Sequence, residues 1–151
     1  MKKNRMRSGF TLMELMIVIV ILGLLSALVL PNIMGKAEDA KQRLVCIQMK
    51  NVEEALKSFK FDNGMYPDTE DGLKALVKNP DENKYKNFAN GGYLDGDNLP
   101  IDPWKNNYIY LNEDGDINLI SLGADGKEQG KDNNKDITLK DCKKQWKKPL
   151  L

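Results

Sequence analysis

The sequence contains no histidine. That absence removes the commonest general base, the usual partner of a catalytic nucleophile and a leading zinc ligand together. Cysteine is scarce: only Cys46 and Cys142 occur, far apart and outside any CxxC spacing of a metal or redox site. There is no nucleophile motif and no phosphate-binding glycine loop, so an enzyme has little support. Internal repeats and low-complexity stretches are also missing. Over 151 residues the formal net charge is +1, which makes no case for nucleic acid as a partner.

The near-balance of charge hides a strong asymmetry. Lys2, Lys3, Arg5 and Arg7 crowd the start, and every acidic residue except Glu14 lies beyond the apolar run that follows. From Leu12 to Leu30 the chain reads LMELMIVIVILGLLSALVL, about 28 Å long as a helix and close to the hydrocarbon thickness of a bilayer. With bases ahead of it, the run is expected to leave the N-terminus cytoplasmic and the remainder outside. An ordinary secretory signal is a competing reading, but the run exceeds the usual apolar core and no small-x-small cleavage site closes it. A plain membrane anchor is the harder rival.

Glu14 separates an anchor from an assembly device. A carboxylate two residues into an apolar span costs a few kcal/mol wherever it lacks a partner. An anchor has no use for that cost. An assembling helix does, because a neighbouring subunit's N-terminal amine can neutralise the acid inside a packed bundle. The context Gly9-Phe10-Thr11-Leu12-Met13-Glu14 resembles the type IV prepilin signature. The resemblance implies that a dedicated membrane peptidase cuts after Gly9 and that the new N-terminal residue, Phe10, is N-methylated. Glu14 then becomes the acid that sets subunit register. Glycine suits the cut, since a residue without a Cβ lets the peptidase approach the backbone. Loss of residues 1–9 removes four bases and turns the net charge to about −3.

Beyond the span, Pro31 and Gly35 interrupt what otherwise reads as one helix. A kink or locally melted turn is expected there; the other reading is that Pro31 ends the helix. Resumption is favoured by Val45, Met49, Val52, Leu56 and Phe59, which recur at spacings of four and three with Lys and Glu on the opposite face. The helix is expected to stop near Asn63-Gly64, with Pro67 shortly after. Residues 10–30 thus form the membrane and filament-core half, and residues 31–63 the amphipathic half of the same helix.

Residues 64–151 form the expected head. Asp68-Thr69-Glu70-Asp71 opens a short helix carrying Leu73, Leu76 and Val77, with Thr69 or Asp68 as its cap. Asp81 to Asn98 reads as an exposed loop pinned by Tyr85, Phe88 and Tyr93, and Leu99 to Trp104 as a stiff extended passage. Tyr108–Leu111 and Ile117–Ser121 read as two strands joined by a turn at Asn112-Glu113-Asp114-Gly115. Two strands are marginal alone, but packing on the apolar stripe can stabilise them. The fold class is α+β: a long kinked N-terminal helix with a small antiparallel β-sheet head, like that of type IV pilins.

The order of the head motifs narrows the family. Asp62-Asn63-Gly64-Met65-Tyr66-Pro67, then Thr69-x-x-Gly72-Leu73-x-Ala75-Leu76, is similar to the major pseudopilins of type II secretion systems. So are Gly92-Tyr93-Leu94, Asp102-Pro103-Trp104-x-Asn106-x-Tyr108 and Ser121-Leu122-Gly123-Ala124-Asp125-Gly126. Each motif alone is weak; in this order they are specific, and the resemblance runs from about Arg7 to about Ile137.

The last loop gathers side-chain oxygens around glycines, from Gly123-Ala124-Asp125-Gly126 to Asp132-Asn133-Asn134-Lys135-Asp136. With no sulfur or imidazole, that is hard-cation chemistry, and calcium tolerates an irregular oxygen cage better than magnesium. Asp132-x-Asn134-x-Asp136 imitates the start of an EF-hand, but Ile137 stands at the required glycine and Lys143 at the closing glutamate. A solvated acidic loop is the plainer reading of the residues alone. The resemblance implies a structural Ca2+ held by Asp125 and Asp136, with backbone carbonyls around Leu122 and Lys127. Lys135 beside Asp136, and the missing Asn-Trp after it, depart from the family pattern and leave Asp132 as a further candidate ligand.

For Cys46 and Cys142, an even count in an exported protein permits a disulfide, and two small buried thiols are the other reading. The tail from Lys140 is basic and carries Trp146. Docking on a neighbouring subunit and disorder of its last residues are both open.

The resemblance implies a subunit of a helical homo-oligomeric filament in the periplasm, processed by a prepilin peptidase. It also implies minor pseudopilins and an inner-membrane assembly platform as partners. The expected location is the inner membrane, single-pass with the head periplasmic, and the pseudopilus after assembly. A type IV pilin for adhesion, motility or DNA uptake shares the leader and helix. Many such pilins close a C-terminal loop with a nearby cysteine pair, which Cys46 and Cys142 do not resemble.

Overall fold

Fifty-two consecutive residues, Leu12–Asn63, form one α-helix, α1. The computed structural model describes residues 10–96 and 98–147, with the side chains of 28–34 and 133 left out. Gly9 and the rest of the expected leader, and residues 148–151 of the tail, lie outside the described residues. The backbone stays helical through Pro31 and Gly35, so the expected interruption neither ends the helix nor melts a turn. Proline removes one donor from a long ladder, and the ladder continues on both sides of it. The helix stops where expected, with Gly64 taking φ +79° as the left-handed residue past its end.

The chain divides into two units, one ending at Asp39 and the other starting at Ala40. In the first, the large apolar side chains from Phe10 to Leu25 all stand exposed, from 43% at Val18 to 81% at Leu12. Among the described residues, no helix is long and apolar enough to cross a membrane. Positions 28–30, which complete the expected run, are among those whose side chains are left out.

In the second unit α1 becomes one-sided. Val45, Met49, Val52, Leu56 and Phe59 are at most 1% exposed and form the floor of the core. Phe59 meets Tyr85, Phe88 and Tyr93 at centroid distances of 4.9, 6.1 and 5.2 Å, so the three aromatics pin the polar loop as expected. The short helix differs from expectation. It is a 3-10 turn at Gly72–Leu76 with Asp71 before it and no side-chain cap. Asp68 is ion-paired with Lys84 instead, and Thr69 exchanges two hydrogen bonds with the backbone of Asn112, at 2.9 and 3.2 Å. Both expected caps are therefore spent on long-range contacts. The passage after Leu99 is extended only as far as Asp102, because Ile101 bridges Asn107 and the chain reverses between them.

Three strands make one antiparallel sheet in the order β1 (Ile109–Glu113), β2 (Asp116–Ser121) and β3 (Ile137–Thr138). Glu113 pairs with Asp116, so the turn is the two residues Asp114-Gly115 at φ +51° and +91° rather than four. Positive φ at both is what the right-handed twist of a tight hairpin requires. The third strand was not expected. It leads into α2 (Leu139–Trp146), where the sequence suggested a tail. Thr138 caps α2, accepting from the Asp141 amide at 3.2 Å, and Leu139 and Cys142 are buried. Cys46 and Cys142 form a disulfide with a Cα separation of 5.3 Å, so α2 is fastened to α1.

Candidate functional site

The start of α1 is organised by two residues three apart. The Glu14 amide donates to Thr11 Oγ1 at 3.2 Å. The Thr11 amide and hydroxyl donate to Glu14 Oε2 at 3.1 and 3.2 Å. This reciprocal capping box satisfies two orphan donors of the helix start and holds the carboxylate against the first turn. The acid of Glu14 also faces the positive end of the helix dipole. Phe10 precedes the cap with 78% of its surface exposed. Thr11 is a contributor that reading by resemblance passed over, although Thr-x-x-Glu before an apolar run is its sequence signal.

The second candidate site is the loop between β2 and β3. Leu122 precedes a 3-10 turn at Gly123–Asp125, and Gly126 leaves it in the left-handed region. A second 3-10 turn at Asp132–Asn134 packs against the first. Gly123 is required by this packing: a Cβ there would meet the Lys135 and Asn134 carbonyl oxygens at 3.0 and 3.1 Å. The two turns thus meet with backbone carbonyls of the second close to Gly123.

Among the expected ligands, Asp125 is exposed and accepts from the Lys127 amide at 3.1 Å through Oδ1. Asp136 is half-buried. Its Oδ2 accepts from the Gln129 amide at 2.9 Å, while its Oδ1 is buried without a hydrogen-bond partner. A buried carboxylate oxygen with nothing bound to it carries the full cost of lost water. That orphan fits a cation. Asp132 is exposed, at φ +53°, and Lys127 is exposed, so from it a carbonyl rather than the ammonium would serve. No group of three or more Asp, Glu, Cys or His side chains sits together among the described residues. The donor set is a few carboxylates with carbonyls, which suits calcium more than a transition metal.

Asp102 and Asn106 hold this loop from behind. The Asp102 carboxylate, 3% exposed, accepts from the Trp104 and Asn106 amides at 3.0 and 2.7 Å and from the Ser121 hydroxyl at 2.7 Å. Asn106 Nδ2 donates to the Gly123 carbonyl at 2.9 Å. The Asp-Pro-Trp-x-Asn motif therefore fixes where the loop departs from β2. Spacing alone could not show that link, because Asn106 and Gly123 stand on different segments.

Comparisons with known proteins match the chain in two parts. A sequence family described as type II secretion system (T2SS), protein G matches residues 32–140. One described as prokaryotic N-terminal methylation motif matches residues 4–30. Among relatives, the type II secretion system core protein G of Pseudomonas aeruginosa is 49% identical, covering 89% of this chain and 96% of that one. Its namesake from Vibrio cholerae is 45% identical, covering 91% and 94%. The crystal structure of the major pseudopilin from the type 2 secretion system of enterohaemorrhagic Escherichia coli is similar with a TM-score of 0.57. It is 34% identical and covers 72% of this chain and 93% of that one.

Proposed function

The chain belongs to the type II secretion system protein G family, and from that premise we propose how its parts serve a pseudopilus. It is a structural subunit of the pseudopilus in type II secretion, from a family of major pseudopilins that are not enzymes. The methylation motif implies processing by a prepilin peptidase and a membrane-anchored subunit of a periplasmic pseudopilus.

The finer reading is ours. Cleavage falls between Gly9 and Phe10, and Phe10 is methylated on its new amine. The subunit waits as a single-pass protein with its N-terminus cytoplasmic and its head periplasmic. Subunits then leave the bilayer and stack, assisted by minor pseudopilins and an inner-membrane platform. The exposed apolar face of the first unit supplies the burial that drives stacking, and Glu14 meets the Phe10 amine of a neighbouring subunit. In the monomer its carboxylate is already ordered by Thr11, which lowers the entropy lost on pairing. The observation that carries this reading is one acid, held in place, in the otherwise apolar and exposed stretch from Leu12 to Leu25.

A structural Ca2+ is part of the proposal. Asp125 and Asp136 would bind it, with carbonyls near Leu122 and Lys127 and with Asp132 at the rim. When bound, it would supply positive charge to the buried Asp136 oxygen and order the loop between β2 and β3. The test is a chelation series on the full chain, followed by thermal unfolding and filament assembly. Calcium, and not magnesium at equal concentration, is expected to restore both. Unchanged unfolding and assembly in chelator would remove the metal from the proposal.

A further inference from the structure

Five contacts fasten α2 to one short stretch of α1. The Cys46–Cys142 bond is the first. Cys142 Sγ also lies 3.9 Å from Met49 Sδ, and Cys46 Sγ 3.9 Å from Gln145 Oε1. The Lys143 ammonium pairs with Glu53 at 2.8 Å, and the Lys50 ammonium stands 5.9 Å from the Trp146 ring centroid. Glu53 is only 6% exposed. Without α2 it would keep Lys57 at 3.4 Å, but the wall over Cys46 and Met49 would be gone. The helix itself is weakly self-supporting: eight residues, four of them charged, well below the length at which an isolated helix holds in water. Its place is made by the bond and its neighbours.

Both sulfurs are closed off once α2 is down, Cys46 at 3% exposure and Cys142 at 0%. Thiol–disulfide exchange needs a thiolate in line with an accessible disulfide sulfur, and burial denies both. The partners are 96 residues apart. On the placement proposed above, the head must therefore be exported as far as Cys142 before the two can meet in the periplasm. We propose that a dithiol-oxidising exchange reaction acts on this chain after its head is exported and before α2 docks, and that assembly uses the oxidised subunit.

The chemistry balances in two exchanges. One cysteine thiolate attacks a disulfide of the oxidant, a protein or small-molecule disulfide. That forms a mixed disulfide and releases one oxidant thiol. The second cysteine thiolate then attacks the sulfur of the first, releasing the other oxidant thiol. Two cysteine thiols are oxidised, and the oxidant's disulfide takes up the two electrons and two protons. The periplasm is a compartment that supplies such oxidants.

The inference rests on the periplasmic placement proposed above, and thiol trapping separates the two. Newly made chain, pulse-labelled in cells and alkylated at intervals, is expected to pass from two reactive thiols to none before it enters filaments. Bonded cysteines that arise only in assembled filaments would overturn the inference alone. Thiols that stay reactive for the life of the chain would overturn the placement with it. In vitro, full chain refolded with a dithiol present is expected to keep alkylatable cysteines and a protease-sensitive segment at 139–147. Adding a small-molecule disulfide should close both. Folded oxidised protein should lose the bond to the same dithiol more slowly than denatured protein, by at least about tenfold. Equal rates, or a reduced chain that buries its thiols and protects α2, would overturn the order proposed. The variant Cys46→Ala/Cys142→Ala is expected to assemble poorly, and assembly at the unsubstituted level with α2 protected would have the same force.

Discussion

The two units share one helix and use it in opposite ways. From Leu12 to Leu25, α1 is apolar around its circumference and leaves that surface exposed, with Glu14 the one acid within it. From Ala40 onward it is striped, and the stripe is buried to 1% or less beneath the aromatics, the sheet and α2. A helix that is apolar all round needs partners from outside its own chain, whereas an amphipathic one can be satisfied within it. The first unit is therefore built for assembly and the second for folding. Their substitutions should separate accordingly.

Glu14→Ala should break the comparison most sharply. Filaments should be lost entirely, as read by electron microscopy and secretion, while the melting temperature of the head stays unchanged. A shift in head stability would mean that the units are not separable. In the other direction, Phe59→Ala removes the ring on which Tyr85, Phe88 and Tyr93 converge. It should cost about 3–5 kcal/mol in denaturant unfolding, with loss of assembly following only from loss of the fold. Removing the bond with Cys46→Ala/Cys142→Ala should cost about 2–5 kcal/mol in the same measurement, in keeping with the long loop it closes.

Two smaller effects sharpen the boundary within the second unit. Saturating calcium at about a hundred times its dissociation constant should add about 2.7 kcal/mol. Asp136→Asn should abolish that increment while leaving metal-free stability nearly unchanged, as followed by calorimetry with and without chelator. The smallest effect concerns acid. The Thr138 hydroxyl donates to Asp141 Oδ2 at 2.9 Å and holds its carboxyl below the usual carboxylate range, with Lys144 assisting. A depressed carboxylate adds stability above its unfolded pKa of about 3.9, and that stability is lost as pH falls through the folded value. Protease sensitivity of α2 should therefore rise only below about pH 4, and Thr138→Val should flatten that dependence.

The apolar run, the glutamate within it and the 4-3 stripe after Pro31 are local patterns. They depend on side-chain type and helical period alone, so the long helix and its stop at Asn63-Gly64 were legible in the residues. The hairpin was legible for the same reason, down to its glycine. The metal candidates were named by resemblance, and their chemistry alone would have suited a solvated loop. Only the tertiary structure decided what joins distant segments. Thr69 and Asp68 leave a helix start to reach Asn112 and Lys84, Asn106 reaches Gly123, and Asp136 is left with one buried oxygen unpartnered. The tail became β3 and α2 because β2 offered an edge, and Cys46, Met49 and Glu53 offered an apolar wall with one buried acid. Eight residues with little intrinsic helicity hold their shape only through such contacts, and no period in the sequence records them.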